Sequence, residues 1–401
     1  MAARSHRSAF LWMAGLSLVT LLLGATRELL IARELRASGA ADLFFRGLVA
    51  LSAARVVALS LYRARWIPAP QEIVGTELLK QERKATWLMI AAGIAALLVL
   101  AGPGAWADPA VPLFAVGVAL AVHGAALRAL TERAGRERRG FLLEWGLPLG
   151  TIVGASLLPG GALGPTLGLL LGLVVGVAGV WSVAGCTGGH VVKNMSMDTR
   201  GRTGALLVDA LVYTNLGLLD AGLSHLCFPV GGFALLTYAY LFVNAAIMVP
   251  SAAATVVALR VSAGDPARAH AGLRRWAVIA GVFGALAVAL VGLVFRVPAA
   301  AAAIDRMVGW SVADQAGAII VWSAPYAGLR LANTIGRQPQ VAADPRRLLP
   351  WDLGGLAGRA LILAVGAASV GLIASPIALA FAEVVQVGAW WRAPRATQTT
   401  G

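Results

Sequence analysis

Arg27, Arg46 and Arg55 carry the first chemistry legible in this chain, because they stand with Glu28 and Asp42 inside stretches otherwise built from Leu, Ala, Val and Gly. A guanidinium is a planar fork that donates two parallel hydrogen bonds to one anionic group, so arginines in apolar surroundings suit a phosphate. Neutralisation within the chain competes with that use. Asp42 and Arg46 are i, i+4 neighbours and Arg27 adjoins Glu28, spacings at which opposite charges meet. Asp42 is therefore read as structural and Glu28 as the cavity neighbour of Arg27. Arg55 has no acidic neighbour in sequence and is read as an anion-binding residue, with Arg27 and Arg46 beside it as candidates. A second set is acidic. Asp209 and Asp220 are eleven residues apart, about three helical turns, so they share a face, with Asn215 off to the side. Two carboxylates on a cavity wall can bind Na+ or carry a proton. Arg359 can also simply pair with Asp220, and both readings stay open. Glu144, Glu383, His123 and His225 are isolated in sequence and read as satisfied packing or lobe-interface residues.

The elements that must position these groups are membrane spans. A composition of 59% hydrophobic and 13% charged residues, with a mean hydropathy of +0.78, excludes a string of soluble domains. A spanning helix needs about 20 mostly apolar residues, and twelve such stretches are predicted. They run near 9–32, 41–62, 85–106, 109–127, 140–159, 162–185, 204–227, 231–258, 276–295, 312–330, 351–373 and 375–391. The first resembles a signal peptide only in its basic start, since the apolar run continues past Arg27; it is expected to be an uncleaved helix. Arg55 then lies about 13 residues, roughly 20 Å of helix, from the outer end of its span.

Charge placement supports this count. With an inside N-terminus, 25 of the 33 Lys and Arg fall in cytoplasmic segments, as the positive-inside rule requires. The net charge of +14 is thus a topology signal, and no nucleic-acid partner is expected. Arg330, Arg337 and Arg128 are counted among those cytoplasmic charges. The chain divides into residues 1–190, a cytoplasmic linker 191–202 and residues 203–401, six spans on either side in the same orientation, which suggests two pseudo-symmetric lobes around a central cavity. Gly168, Gly172 and Gly176 form a small-xxx-small stripe that predicts close helix packing. The two cysteines belong to no ligand-spaced cluster, and no phosphate-cradling loop occurs. Neither a metal, an organic cofactor nor an enzymatic domain is expected.

The stretch Leu23-Gly24-Ala25-Thr26-Arg27-Glu28-Leu29-Leu30-Ile31-Ala32, followed by Ala40-Ala41-Asp42-Leu43-Phe44-Phe45, resembles the opening of the MurJ/MviN-type lipid II flippases of the multidrug/oligosaccharidyl-lipid/polysaccharide exporter superfamily. Arg55, Trp66-Ile67-Pro68 and Leu218-Leu219-Asp220-Ala221-Gly222-Leu223-Ser224 extend the resemblance. It implies an all-α bundle of two six-helix lobes that moves a polyprenyl-diphosphate-linked glycan, lipid II or a related lipid-linked oligosaccharide, from the inner to the outer leaflet of the bacterial cytoplasmic membrane. Arg27 and Arg55 would hold the diphosphate, Asp42 would orient the first helix pair, and the Asp220 position belongs to a sodium site in some relatives. The chain departs from the pattern at Leu21, Ser60, Tyr240, Leu241 and Asn244, and has twelve predicted spans where the family typically has fourteen. Two further readings stand beside the flippase: an Na+- or H+-coupled small-molecule antiporter of the same superfamily, and a membrane scaffold with a degenerate site. The expected partners are an anionic lipid-linked glycan and membrane lipids, and the expected state is a monomer with both termini cytoplasmic.

Overall fold

In lipid, every backbone N–H and C=O must find its partner within the protein, and long apolar runs meet that demand only as helices. The computed structural model describes residues 2–66, 75–133, 137–158, 161–184, 217–262, 266–343 and 345–391. Among them the regular structure is helical, with no strand. The helices are α1 (Ala2–Leu35), α2 (Gly39–Trp66), α3 (Gly75–Gln81), α4 (Arg83–Ala101), α5 (Ala110–Arg133), α6 (Glu137–Leu157), α7 (Leu163–Ala184) and α8 (Gly217–Cys227). They continue with α9 (Gly232–Ser262), α10 (Pro266–Val294), α11 (Pro298–Val308), α12 (Ala313–Trp322), α13 (Ala324–Ala343), α14 (Leu349–Val370) and α15 (Ala374–Trp391).

Helix occupies most of the described part of every expected span. Among the described residues, six helical stretches are long and apolar enough to cross a membrane: Gly39–Arg63, Arg83–Ala101, Ala110–Arg133, Leu163–Trp181, Leu273–Val294 and Arg346–Trp391, the last containing α14 and α15. Large apolar side chains such as Phe283 and Leu290 on α10 stand 69% and 64% exposed, a surface that water would penalise and lipid accepts. The chain is a multi-pass, all-α membrane protein.

Two expected spans are cut short or broken. Span 85–106 stops early, because Gly102 at φ +80° ends α4. The stretch 312–330, expected as one span, is two helices meeting at Ser323. That residue's N–H is shared between the carbonyls of Ile319 and Ile320 at 3.0 Å each, and its hydroxyl donates to the Ile319 carbonyl at 2.7 Å. Pro325, just beyond, has no N–H with which to continue the ladder. The second helix, α13, runs on to Ala343 and carries Arg330 and Arg337 as helical residues.

Contacts divide the chain into two compact units. In the unit formed by Thr20–His225 and Pro229–Ala234, small residues bring helices together. On α2 and α5, Ala58, Tyr62 and Trp66 share a buried cluster with Val122, Ala125 and Ala129. On α6 and α7, a Cβ added to Gly150 would collide with the Gly168 carbonyl, and one added to Gly168 with the Gly150 carbonyl; Gly146 and Gly154 stand in the same relation to Gly172 and Gly164. This is the close packing expected of the Gly168, Gly172, Gly176 stripe, and its partner stripe is Gly146, Gly150, Gly154.

The other unit comprises Met1–Val19, Leu226–Phe228 and Leu235–Gly401. Its α13, α14 and α15 enclose a polar knot. Arg337 grips Asp352 bidentately at 2.8 and 2.9 Å, with Gln386 bonded to both. Glu383 accepts from Arg330 at 3.1 Å and from Asn333 at 2.5 Å, and Trp390 donates to Asn333. Glu383 is therefore a satisfied packing residue, as expected, and Arg337 and Asp352 are paired with each other inside the unit, which is how a buried charge is tolerated.

Candidate anion-binding site

Arg55, Leu59 and Arg63 recur every four residues along α2, and Ala121, Arg128 and Glu132 follow one stripe of α5, so helical periodicity alone turns the charges of both helices to a common side. Glu144 on α6 completes the group. The Nη2 atom of Arg55 lies 2.6 Å from both carboxylate oxygens of Glu144, and Arg128 pairs with the same carboxylate through Nη1. Arg128 also donates from Nε to Glu132 at 3.0 Å, and Arg63 grips Glu132 at 2.6 and 2.5 Å. The result is a chain of alternating charge, Arg55, Glu144, Arg128, Glu132, Arg63, with one more guanidinium than carboxylate. Arg55, Arg128 and Glu144 line a small cavity whose other walls include Leu59, Leu120 and Leu143.

In sequence Arg55 has no acidic neighbour and Glu144 is isolated. They face each other from helices 89 positions apart, a distance no local spacing reveals. Arg128, counted among the cytoplasmic charges, stands on the last turns of α5 as part of this cluster. The Arg128–Glu132 i, i+4 pair was the one local signal for its partner.

A second network gathers at the other end of α2. Arg46 donates from Nε to the Ser224 hydroxyl at 2.9 Å, its Nη1 lies 2.8 Å from Nδ1 of His225, and its Nη2 is 3.8 Å from Asp42. Asp42 in turn accepts the backbone N–H groups of Gly231 at 2.7 Å and Ala234 at 2.8 Å, the orphan donors of a helix N-terminus. His225 reaches the Leu100 carbonyl at 2.7 Å. Asp42 is thus held by two backbone donors at the start of α9 and faces Arg46. Arg46, expected among the substrate-binding residues, spends all three guanidinium nitrogens on protein partners.

Arg27 pairs with its neighbour Glu28. The Nε of Arg27 and the Oε2 of Glu28 are buried without a hydrogen-bond partner among the described residues, so this pair keeps one donor and one acceptor for something else. Seven residues before Arg27, α1 meets α6 where Trp145, next to Glu144, donates to the Thr20 hydroxyl at 3.0 Å. Asp220 is buried on α8, one turn before Ser224, and Arg359 is buried on α14 in the other unit. Asp209 and Asn215, the other candidate ion ligands, lie outside the described residues. Among the described residues no group of three His, Cys, Asp or Glu is arranged to hold a metal. His123 stacks on Trp181 at 5.5 Å, a packing role.

No protein-family model matches the chain, and no curated protein does. Solved structures do. A structure described as "Lipid II flippase MurJ, inward closed conformation" superposes with a TM-score of 0.73 at 12% identity, covering 95% of this chain and 86% of that one. A multidrug resistance MATE family transporter of the MOP superfamily, in an inward-facing conformation, gives a TM-score of 0.62 at 15% identity, covering 94% and 96%. At such identities the likeness is one of fold, and it runs nearly end to end: the chain has the fold shared by the MurJ flippase and a MATE transporter of the MOP superfamily.

Proposed function

We propose that this protein is a flippase that moves a polyprenyl-diphosphate-linked glycan, lipid II or a related lipid-linked oligosaccharide, from the inner to the outer leaflet of the bacterial cytoplasmic membrane by alternating access. The observation that carries the proposal is the cluster of Arg55, Arg128 and Arg63 against Glu144 and Glu132, an excess of positive charge on membrane helices beside a cavity with apolar walls. A guanidinium at membrane depth is costly unless an anion meets it, and an anionic headgroup on a long apolar tail matches both halves of that environment. Arg27, with its uncommitted Nε, is the second phosphate contact, and Arg46 and Asp42 hold α2 in place. The fold likeness to the MurJ flippase supports the same reading. Na+ or H+ is the proposed coupling ion, with buried Asp220 as its ligand or carrier. The working unit is a monomer with both termini cytoplasmic.

Reconstitution into liposomes tests this directly. Translocation of a polyprenyl-diphosphate-linked sugar is expected for the wild type, and a loss of at least about tenfold for Arg55→Gln and Arg27→Gln, since a charge-assisted contact contributes about 1.5–3 kcal/mol. Wild-type rates in both variants, each shown to be folded, would refute it.

A coupled small-molecule antiporter is the second reading, favoured by the MATE likeness and by the burial of Asp220. Drug export that survives Arg55→Gln and fails with Asp220→Asn would select it.

A further inference from the structure

We infer that Glu144 is a built-in counter-ion that occupies the substrate's place between transport events, and that Arg128 is a further guanidinium of the same anion site. The inference rests on the proposed binding of a lipid-linked diphosphate.

Glu144 sits as a bound phosphate would, its carboxylate shared by guanidinium groups from two helices, Arg55 on α2 and Arg128 on α5. The two glutamates of the cluster are not equivalent. Glu132 is anchored by Arg63 through two bonds and by Arg128 through a third. It keeps Arg128 in position whatever happens to Glu144. Glu144 lines the cavity and Glu132 does not. The Arg55 and Glu144 side chains are 22% and 17% exposed, against 4% and 2% for Arg337 and Asp352 in the sealed pair of the other unit. The first pair is open to a competitor and the second is not.

Charge balance points the same way. Three guanidiniums and two carboxylates leave the resting cluster at +1. If Glu144 turns away and a diphosphate diester, a dianion, takes its place, then Arg55, Arg63, Arg128, Glu132 and the ligand sum to zero. An uncompensated buried charge is what such a site avoids. Exchange of one anion for another lets the arginines hold a substrate without standing bare between cycles, and return of Glu144 assists release.

The test is equilibrium binding to the purified full chain in detergent, with farnesyl diphosphate as probe and inorganic pyrophosphate as competitor. Glu144→Gln, which keeps the shape and removes the competing charge, is expected to bind farnesyl diphosphate about tenfold more tightly than the wild type, and Arg128→Gln about tenfold more weakly. Pyrophosphate is expected to displace the probe from both the wild type and Glu144→Gln. If Glu144→Gln binds no tighter, or if Arg128→Gln binds as the wild type does, while Arg55→Gln has lost the probe, counter-ion exchange is wrong and the transport proposal stands. If the wild type binds no probe, if Arg55→Gln binds it equally, or if pyrophosphate does not compete, both fail. Arg128→Gln leaves the Arg55–Glu144 pair intact, so it decides the matter even if Glu144→Gln does not fold.

Discussion

The carboxylate of Asp42 accepts the backbone N–H of Gly231, 189 positions later in the chain, at 2.7 Å. Its other oxygen takes the N–H of Ala234 at 2.8 Å, so one side chain satisfies two donors at the start of α9. Asp42→Ala leaves both donors and the Arg46 charge without this acceptor and is expected to cost about 3 kcal/mol of stability. Asp42→Asn keeps one carbonyl oxygen and should cost about 1 kcal/mol. Unfolding of the purified variants, followed by intrinsic tryptophan fluorescence, measures the difference, and equal losses would show that the hydrogen bond retained by Asn contributes nothing.

Arg55 illustrates why lysine is no substitute at a forked site. Its Nη2 alone reaches both oxygens of Glu144, a contact an ammonium could also make, but lysine offers a phosphate only a point charge and no second arm of a planar fork. Arg55→Lys is expected to fold as the wild type does and to translocate a lipid-linked diphosphate about tenfold more slowly. The liposome assay decides it; full activity would mean that charge alone suffices.

The α6–α7 contact is set by glycine. A side chain at position 168 would strike the Gly150 carbonyl, and one at 150 the Gly168 carbonyl, so neither helix can yield without separating. Gly168→Val is expected to destabilise by about 3 kcal/mol, the upper range for overpacking. Gly161 has open space around an added Cβ but sits at φ +98°, so Gly161→Ala should cost about 1 kcal/mol through backbone strain alone. Melting temperatures of the two variants rank the effects.

Arg337 and Asp352 allow a double-mutant cycle in the other unit. Removing one partner leaves a buried charge, so Arg337→Met and Asp352→Leu should each cost about 3–5 kcal/mol. The double variant should cost less than either, because the remaining Gln386 is neutral. Additive losses would show that the two charges do not depend on each other.

Much of this was legible in residue order. Hydropathy placed helix in every described span because lipid permits little else. The Gly168, Gly172, Gly176 stripe announced close packing, since a four-residue repeat of small side chains can only serve one face of a helix. The i, i+4 spacing of Asp42 and Arg46 announced their pair. The interruption at Ser323 was not legible, because Val, Trp, Ala and Tyr around it keep the run apolar while the break depends on one hydroxyl and the missing N–H of Pro325.

Sequence by itself determined that this is a multi-pass helical membrane protein with arginines set in its first helices, because hydrophobicity and charge placement are sums over neighbouring residues. Only the tertiary structure decided what those arginines hold. Glu144 meets Arg55 across 89 residues and Asp42 meets Gly231 across 189. Ion pairs and caps form wherever packing brings complementary groups within about 3 Å, and helix packing is a property of the whole fold.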